Sequence, residues 1–441
     1  MTGTPLQYAA HHDHPPQHLD NAPPAGLAPQ QRNLGADLQA VLRLGTMLAA
    51  AGTGSYRVTR AMHQVASLLD IDALDAAVTM TTITVTARRG GEFRTVVREI
   101  TSLGVDAGRI AALERLTHRL PSGANPDDIH AALTAITSSP RRWSFSSRAA
   151  AAGVGCAAFA VLNGFGPWDA MAVIVAAGLG QYLRSLLGHH RVAPLAVVAL
   201  CSATSCLLYL LLVTGAAPLV GMSHTAHDAG YVAAVLYLIP GFPLFTALLD
   251  IAHLDVVAGS IRLVYAIAVI GTSTGTVWML SSLAGAAPLP PRPREMTPWL
   301  GILIWTVASF VAVAAFAMLF DAALRMVLLS ALIGAVANLI RLGCLTLHVP
   351  AQTACFVAGL AIGLLAALIS VRAHIPRITV SVPAAIIMIP GTTMYRGMYH
   401  LNAGTIDSFL TEATTATLLL IAVAAGLAVA RFLTDHDWAY A

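Results

Sequence analysis

Leu236 to Leu248 reads LYLIPGFPLFTAL, and Ile386 to Met398 reads IIMIPGTTMYRGM. Each phrase sets an Ile-Pro-Gly core inside an apolar stretch long enough to cross a bilayer. Proline removes a backbone donor and glycine loosens the chain, so a helix carrying the pair bends or breaks there. Broken helices at matching places in two halves of a membrane protein are the best sequence pointer to a solute site.

Outward from these phrases the chain divides by composition. Of its 441 residues 56% are hydrophobic and 11% are charged, against about 25% charged in soluble proteins. The sequence predicts an α-helical polytopic membrane protein with about ten spans near 148–164, 168–187, 193–214, 229–250, 257–284, 297–320, 323–341, 351–371, 378–399 and 412–433. Each is roughly 17–25 residues, the length a bilayer requires, except the fifth, which runs on into its loop. The expected organisation is a disordered tail over 1–33, a soluble domain over 34–145, a five-helix half over 146–287, a Pro-rich linker over 288–298 and a second five-helix half over 299–434. Two related halves with an odd number of crossings run in opposite directions, which is the inverted-repeat architecture. The Ile-Pro-Gly phrases then fall in the fourth span of each half. A weaker echo joins Gln181-Tyr182-Leu183-Arg184 to Asn338-Leu339-Ile340-Arg341, each closing the second span of its half.

Arginine placement gives an orientation. Arg141, Arg142 and Arg148 precede the first span, so the N-terminus is expected inside. Arg184, Arg191, Arg262, Arg325, Arg372, Arg377 and Arg431 then also fall inside, and Arg292, Arg294, Arg341 and Arg396 outside. An even number of crossings puts both termini in the cytoplasm. Every basic residue is Arg, which with the Ala-rich composition reads as the codon usage of a GC-rich bacterium. The net charge of +3 is too small to point to nucleic acid.

The soluble segment reads as a small α/β domain. Leu38, Val41, Leu42, Gly45 and Leu48 share one helix face, and Val58, Met62, Val65 and Leu69 another. Ala76 to Ile100 is rich in Thr, Val and Ile around Arg88-Arg89-Gly90-Gly91, a tight hairpin signature. Asn125-Pro126-Asp127-Asp128 is a helix start: a capping side chain, Pro in the first turn, acids against the positive helix end.

Ionisable residues in or beside apolar spans are costly, so each is a functional candidate as well as a helix cap or topology marker. They are Asp169, Asp250 with His253 and Asp255 behind it, Asp321, Asp407 and Glu412. Aligning the two phrases sets Asp250 at the position of His400, and such a pair could share a proton pathway. At a broken helix freed N–H groups bind a carboxylate and freed carbonyls an ammonium group. Pro240, Gly241, Pro390 and Gly391 are the candidates to shape that site, with Thr392, Thr393 and Tyr395 placed to bond a solute hydroxyl. There is no Walker phosphate loop and no H-E-x-x-H, so neither ATP use, a cofactor nor a metal is implied. The five cysteines lack C-x-x-C spacing and read as packing residues. His11, His12, His14 and His18 read as part of a solvated tail.

Taken in order, several blocks resemble the bacterial threonine/serine exporter family: Gly52-Thr53-Gly54-Ser55-Tyr56-Arg57-Val58; the turn from Gly164 and Gly166 to Asp169; Ile239-Pro240-Gly241 with Asp250 and Gly259-Ser260-Ile261-Arg262; and Ile389-Pro390-Gly391. The likeness covers about residues 35–433. Many relatives carry an acidic residue where this chain has Thr59. The resemblance implies a non-enzymatic transporter of the bacterial cytoplasmic membrane, joining a soluble N-terminal domain to two five-helix sets. Its expected partners are threonine, serine or similar small amino acids, protons and the lipid bilayer; self-association stays open. It implies export driven by the proton gradient; the expected mechanism is proton antiport by alternating access between the inverted halves, with Asp250 first and Glu412 and His400 next as coupling residues. One charge crossing about 100 mV releases about 2.3 kcal/mol, enough for roughly a fifty-fold solute gradient. A passive channel, or a membrane-anchored enzyme acting through its soluble domain, are the competing readings.

Overall fold

A computed structural model describes residues 33–101, 104–188, 190, 192–220, 230–286 and 297–439. The expected tail before Asn33 with its four histidines, and the Pro-rich stretch up to residue 296, lie outside the described residues.

The N-terminal α/β domain begins with α1 (Leu34–Ala50) and α2 (Ser55–Leu68), followed by β1 (Ala73–Val78), β2 (Thr82–Arg89) and β3 (Glu92–Glu99). The three strands form an antiparallel sheet in the order β1-β2-β3. Arg89 pairs with Glu92 across the hairpin, whose Gly90 has φ +55°, the left-handed geometry that favours glycine. Alternation along β2 buries Ile83, Val85 and Ala87 in one core with Leu38, Val41, Leu42 and Leu48 of α1 and Val58, Met62 and Val65 of α2. Next come α3 (Ala107–Arg119) and α4 (Pro126–Ser138). Asn125 caps α4, accepting from the Asp127 N–H at 3.2 Å, with Pro126 in the first turn.

A second core belongs to the apolar bundle. Its helices are α5 (Phe145–Leu162), α6 (Pro167–Leu187), α7 (Pro194–Val220), the short α8 (Gly230–Ala233), α9 (Gly241–Ala252) and α10 (Val256–Leu283). Then follow α11 (Pro298–Leu319), α12 (Leu324–Thr346), α13 (Ala351–Ala373), α14 (Ile378–Ile386), α15 (Gly391–Asn402), α16 (Ile406–Thr434) and a terminal turn, α17 (His436–Ala439). Among the described residues eight helices are long and apolar enough to span a membrane. Two bent pairs, 230–238 with α9 and α14 with α15, raise the number to ten if each is one span. Large apolar side chains stand exposed at Met171, Ile174 and Val175 of α6, Leu324, Leu328 and Leu332 of α12, and Leu410, Leu418 and Ile421 of α16. Patches of this kind are a liability in water and the normal surface against lipid.

The neighbours of each helix repeat between halves. α5 packs on α6, α6 on α7, and α7 and α9 on α10; α11 packs on α12, α12 on α13, and α13 and α15 on α16. Between the sets α5 meets α11, α9 meets α16 and α10 meets α15. The soluble domain sits on one end of the bundle. There Ala107 donates its N–H to Phe320 O at 2.8 Å, and the Arg142 and Trp143 N–H groups donate to Asp321 Oδ1 at 3.1 and 3.2 Å.

Candidate functional site

Both Ile-Pro-Gly phrases break their helices, by 64° and 51°. Pro240 adopts φ −80°, ψ 60° and Pro390 φ −79°, ψ 61°, the inverse γ-turn conformation. In each, the glycine N–H closes that turn onto the isoleucine carbonyl at 2.8 Å. The two breaks lie against each other. A Cβ on Gly241 would come within 2.9 Å of Ile386 and 3.0 Å of Ile389, and one on Gly391 within 2.6 Å of Leu236 and 3.1 Å of Ile239. Each glycine packs on the isoleucine of the other phrase, so the contact is reciprocal and leaves no room for a side chain at either position.

A cavity of about 680 Å³ opens between the N-terminal domain and the helical bundle. Pro240, Gly241, Phe242 and Thr246 border it on the bundle side, with Ile386 from the second half, and Ala49, Gly52 and Val105 on the domain side. Arg141, Arg148, Arg184, Arg262 and His190 line it, and among the described residues none of its lining is Asp or Glu. A low-dielectric wall with this sign of charge focuses a field that attracts anions.

Asp250 stands at the end of α9 in a buried ion pair. Its Oδ2 accepts from Arg262 of α10 at 2.7 Å, with both side chains 5% exposed. Its Oδ1 accepts the Ser55 N–H at 3.2 Å, and Arg262 donates to Thr53 O at 2.9 Å. Gly54 lies so close that an added Cβ would be 2.8 Å from Asp250 Oδ1. The Gly52-Thr53-Gly54-Ser55 junction between α1 and α2 is therefore seated on this pair. Ser55 Oγ also donates to Asp255 Oδ2 at 2.8 Å, and Arg431 of α16 lies over the Tyr56 ring.

A second polar network is buried in the bundle. Tyr209 of α7 donates to Asp169 Oδ1 at 2.7 Å, and the Gly166 N–H donates to Asp169 Oδ2 at 3.1 Å, capping α6. Tyr231 packs edge-on against Tyr209 and against Tyr395. The Tyr395 hydroxyl donates to that of Tyr231 at 3.1 Å and lies 2.8 Å from Ser281 Oγ. Sequence reading singled out Asp169 and Tyr395 and missed the two tyrosines between them, which carry no local motif.

The expected site residues are thus distributed. Pro240, Gly241, Pro390 and Gly391 meet. Tyr395 joins the tyrosine network and Thr393 is buried; Thr392 donates to Asn163 Oδ1 at 3.3 Å. Glu412 pairs with Arg396 at 3.4 Å. His400 contacts Thr405 Oγ1 at 2.9 Å. The structure does not bring His400 to Asp250. α16 has 29 residues, about 43 Å of helix, and its last turn reaches the domain through Arg431. Its first turn, beside His400, therefore stands at the far end of the bundle from Asp250.

Eight long apolar helices among the described residues, ten spans if each bent pair is one, with two breaks packed against each other, make the chain a polytopic membrane protein. The threonine/serine exporter (ThrE) family model matches residues 39–284, and a second model of threonine/serine exporters matches residues 305–433. The chain belongs to the threonine/serine exporter family. It is 25% identical over 423 residues to the "Probable threonine/serine exporter" of Mycobacterium tuberculosis, covering 90% of this chain and 76% of that protein. It is also 25% identical over 263 residues to the "Probable succinate transporter subunit YjjP" of Klebsiella aerogenes, covering 58% of this chain and 90% of that one. No solved structure matches the chain.

Proposed function

We propose that this protein exports threonine, serine or a similar small amino acid from the cytoplasm by proton-coupled alternating access between two inverted five-helix halves. The observation that carries the reading is the reciprocal packing of the two breaks, Gly241 on Ile386 and Ile389 and Gly391 on Leu236 and Ile239, at the floor of the charged cavity. Two halves related by an in-plane axis place equivalent turns in contact at the centre. The far-end location of His400, at the position equivalent to Asp250, fits halves that run in opposite directions. The soluble domain then caps the cytoplasmic end, where Arg148, Arg184, Arg262 and Arg431 gather as positive-inside topology requires, in the bacterial inner membrane. Asp250 is the coupling residue: a proton delivered to it removes the charge that holds Arg262 and frees the Thr53–Ser55 junction.

The test is intracellular retention of a panel of amino acids in a deletion strain fed dipeptides, with and without the cloned protein. Threonine or serine should accumulate in the deletion strain and fall on complementation; equal retention in both refutes the assignment. In loaded vesicles, collapse of the proton gradient should abolish uphill export, whereas a passive channel has no uphill flux to lose. The arginine-lined vestibule favours one second reading, export of a dicarboxylate.

A further inference from the structure

Two side chains on the wall of the cavity are buried with hydrogen-bonding capacity unused. Arg148, in the first turn of α5, is 6% exposed. It donates one terminal nitrogen to Ser185 Oγ at 2.9 Å and lies over the Phe145 ring at 5.4 Å, while its Nε has no partner. Gln181, one turn before Ser185 on α6, is 7% exposed, and its Oε1 has no partner. Both line the cavity, as does Ser185. A buried donor or acceptor left unmade is costly, and native proteins tolerate few.

The second half shows what a satisfied version looks like. Asn338 stands at the position that the sequence echo equates with Gln181. Its Nδ2 donates to Ser309 Oγ at 2.8 Å, and its Oδ1 accepts from Arg341 Nε at 3.0 Å. Its carboxamide is thus engaged at both ends by the protein. In the first half the corresponding amide oxygen and the Nε of a nearby guanidinium have no partner among the described residues, and both residues line the cavity.

We propose that Arg148 and Gln181 form the inward-facing recognition site for an amino-acid zwitterion, with the Arg148 guanidinium taking the α-carboxylate and Gln181 Oε1 accepting from the α-ammonium group. Guanidinium forks match carboxylates in geometry and charge, and an amide oxygen is an acceptor suited to an ammonium. Ser185 and the Phe145 ring hold Arg148 in plane. Arg184, exposed on the same helix and lining the same cavity, draws the anionic end toward the mouth. The proposal rests on reading the cavity as the loading vestibule of the exporter, and it names the chemistry that loading selects.

The test is isothermal titration of the full-length protein in lipid nanodiscs with threonine, threoninol (no carboxylate), 3-hydroxybutyrate (no ammonium) and succinate. The wild type should bind threonine at least tenfold more tightly than the other three. R148Q should weaken threonine at least tenfold, to the level of threoninol, and R148K should recover part of the loss. Q181L should erase the preference for threonine over 3-hydroxybutyrate. If R148Q does not fold, Q181L decides alone, because leucine replaces the amide at nearly constant volume. Wild-type affinity in R148Q, an unchanged preference in Q181L, succinate bound as tightly as threonine, or no binding by the wild type would each overturn the proposal. Efflux is measured separately: intact binding with no outward transport in vesicles defeats the export reading and leaves the site standing.

Discussion

Replacing Asp250 by asparagine removes a charge while keeping shape. The amide oxygen can still accept the Ser55 N–H, but Arg262, 5% exposed, is left with Thr53 O as its remaining acceptor on the junction. Removing one partner of a buried ion pair costs about 3–5 kcal/mol, because the surviving charge stays desolvated. Replacing both partners by neutral groups of similar volume is often close to neutral. Asp250→Asn should therefore loosen the seat of residues 52–57 by that amount, and Asp250→Asn with Arg262→Met should recover most of it. At about 1.4 kcal/mol per decade, the loosening is roughly two to four decades in opening equilibrium. Hydrogen exchange of peptides covering residues 50–58, in the full-length protein in nanodiscs, reads it directly. Uphill export should be lost while the protein stays in the membrane. Unchanged exchange in the single variant, or a double variant as loose as the single, would refute the latch, and full export by Asp250→Asn would remove it from the mechanism.

Gly391→Val forces methyl groups into a gap where even a Cβ would sit 2.6 Å from Leu236. Overpacking of about 1–3 kcal/mol should cut export about 5- to 100-fold at equal membrane abundance, and normal flux would show that the breaks do not move against each other. Tyr395→Phe deletes the hydroxyl that joins Ser281 and Tyr231 and should cost about 1–3 kcal/mol. Thermal melts of the purified protein check it, an unchanged melt counting against the network. In the soluble domain, burial first and the nearby Arg43 second hold the His130 imidazole below its ordinary pKa. A depressed folded value means that stability is complete above the ordinary histidine range, near pH 6.5, and is lost as pH falls through the folded value. Protection of α1 and α4 amides, after correction for the intrinsic pH dependence of exchange, should fall between pH 7.5 and 5 and stay flat in His130→Gln; equal acid sensitivity in both would exclude His130 as the cause.

The features legible in the sequence are those whose physics is local. A Pro-Gly pair removes a donor and loosens the backbone at adjacent positions, so Pro240–Gly241 and Pro390–Gly391 announced both bends. The Gly90 turn and the Asn125 cap act within a few residues and could be read the same way. Span positions followed from hydropathy alone. The site was legible only in part, since partners are set by packing. Ser55 and Asp250 are 195 residues apart, and no spacing rule joins them. Arg148 and Gln181 were visible only as an orientation marker and as half of a weak echo, because an unpaired buried atom exists only once neighbours are in place. The alignment that equated Asp250 with His400 was a statement about register, and register in a repeat carries no distance.

That register also predicts where the halves must differ. The 150-residue offset between the phrases carries Asp250 onto His400 and Arg262 onto Glu412. At the domain end the pair is Asp250–Arg262, sealed by the Thr53–Ser55 backbone. At the far end it is Arg396–Glu412, with side chains 33% and 23% exposed, more open to water than the 5% of the first pair and with no backbone group among the described residues sealing it. Exchanging the charges of the far pair, Arg396→Glu with Glu412→Arg, keeps an attraction of similar size and should leave export near normal. The same exchange at Asp250 and Arg262 turns a cation toward the Ser55 N–H and a carboxylate toward the Thr53 carbonyl, so both backbone groups lose their partners. Vesicle export by the two double variants should therefore diverge, the first active and the second inactive with its junction exchanging freely. Equal activity would mean that the domain is not held by the charge pattern of this pair, and the coupling role of Asp250 would fall with it.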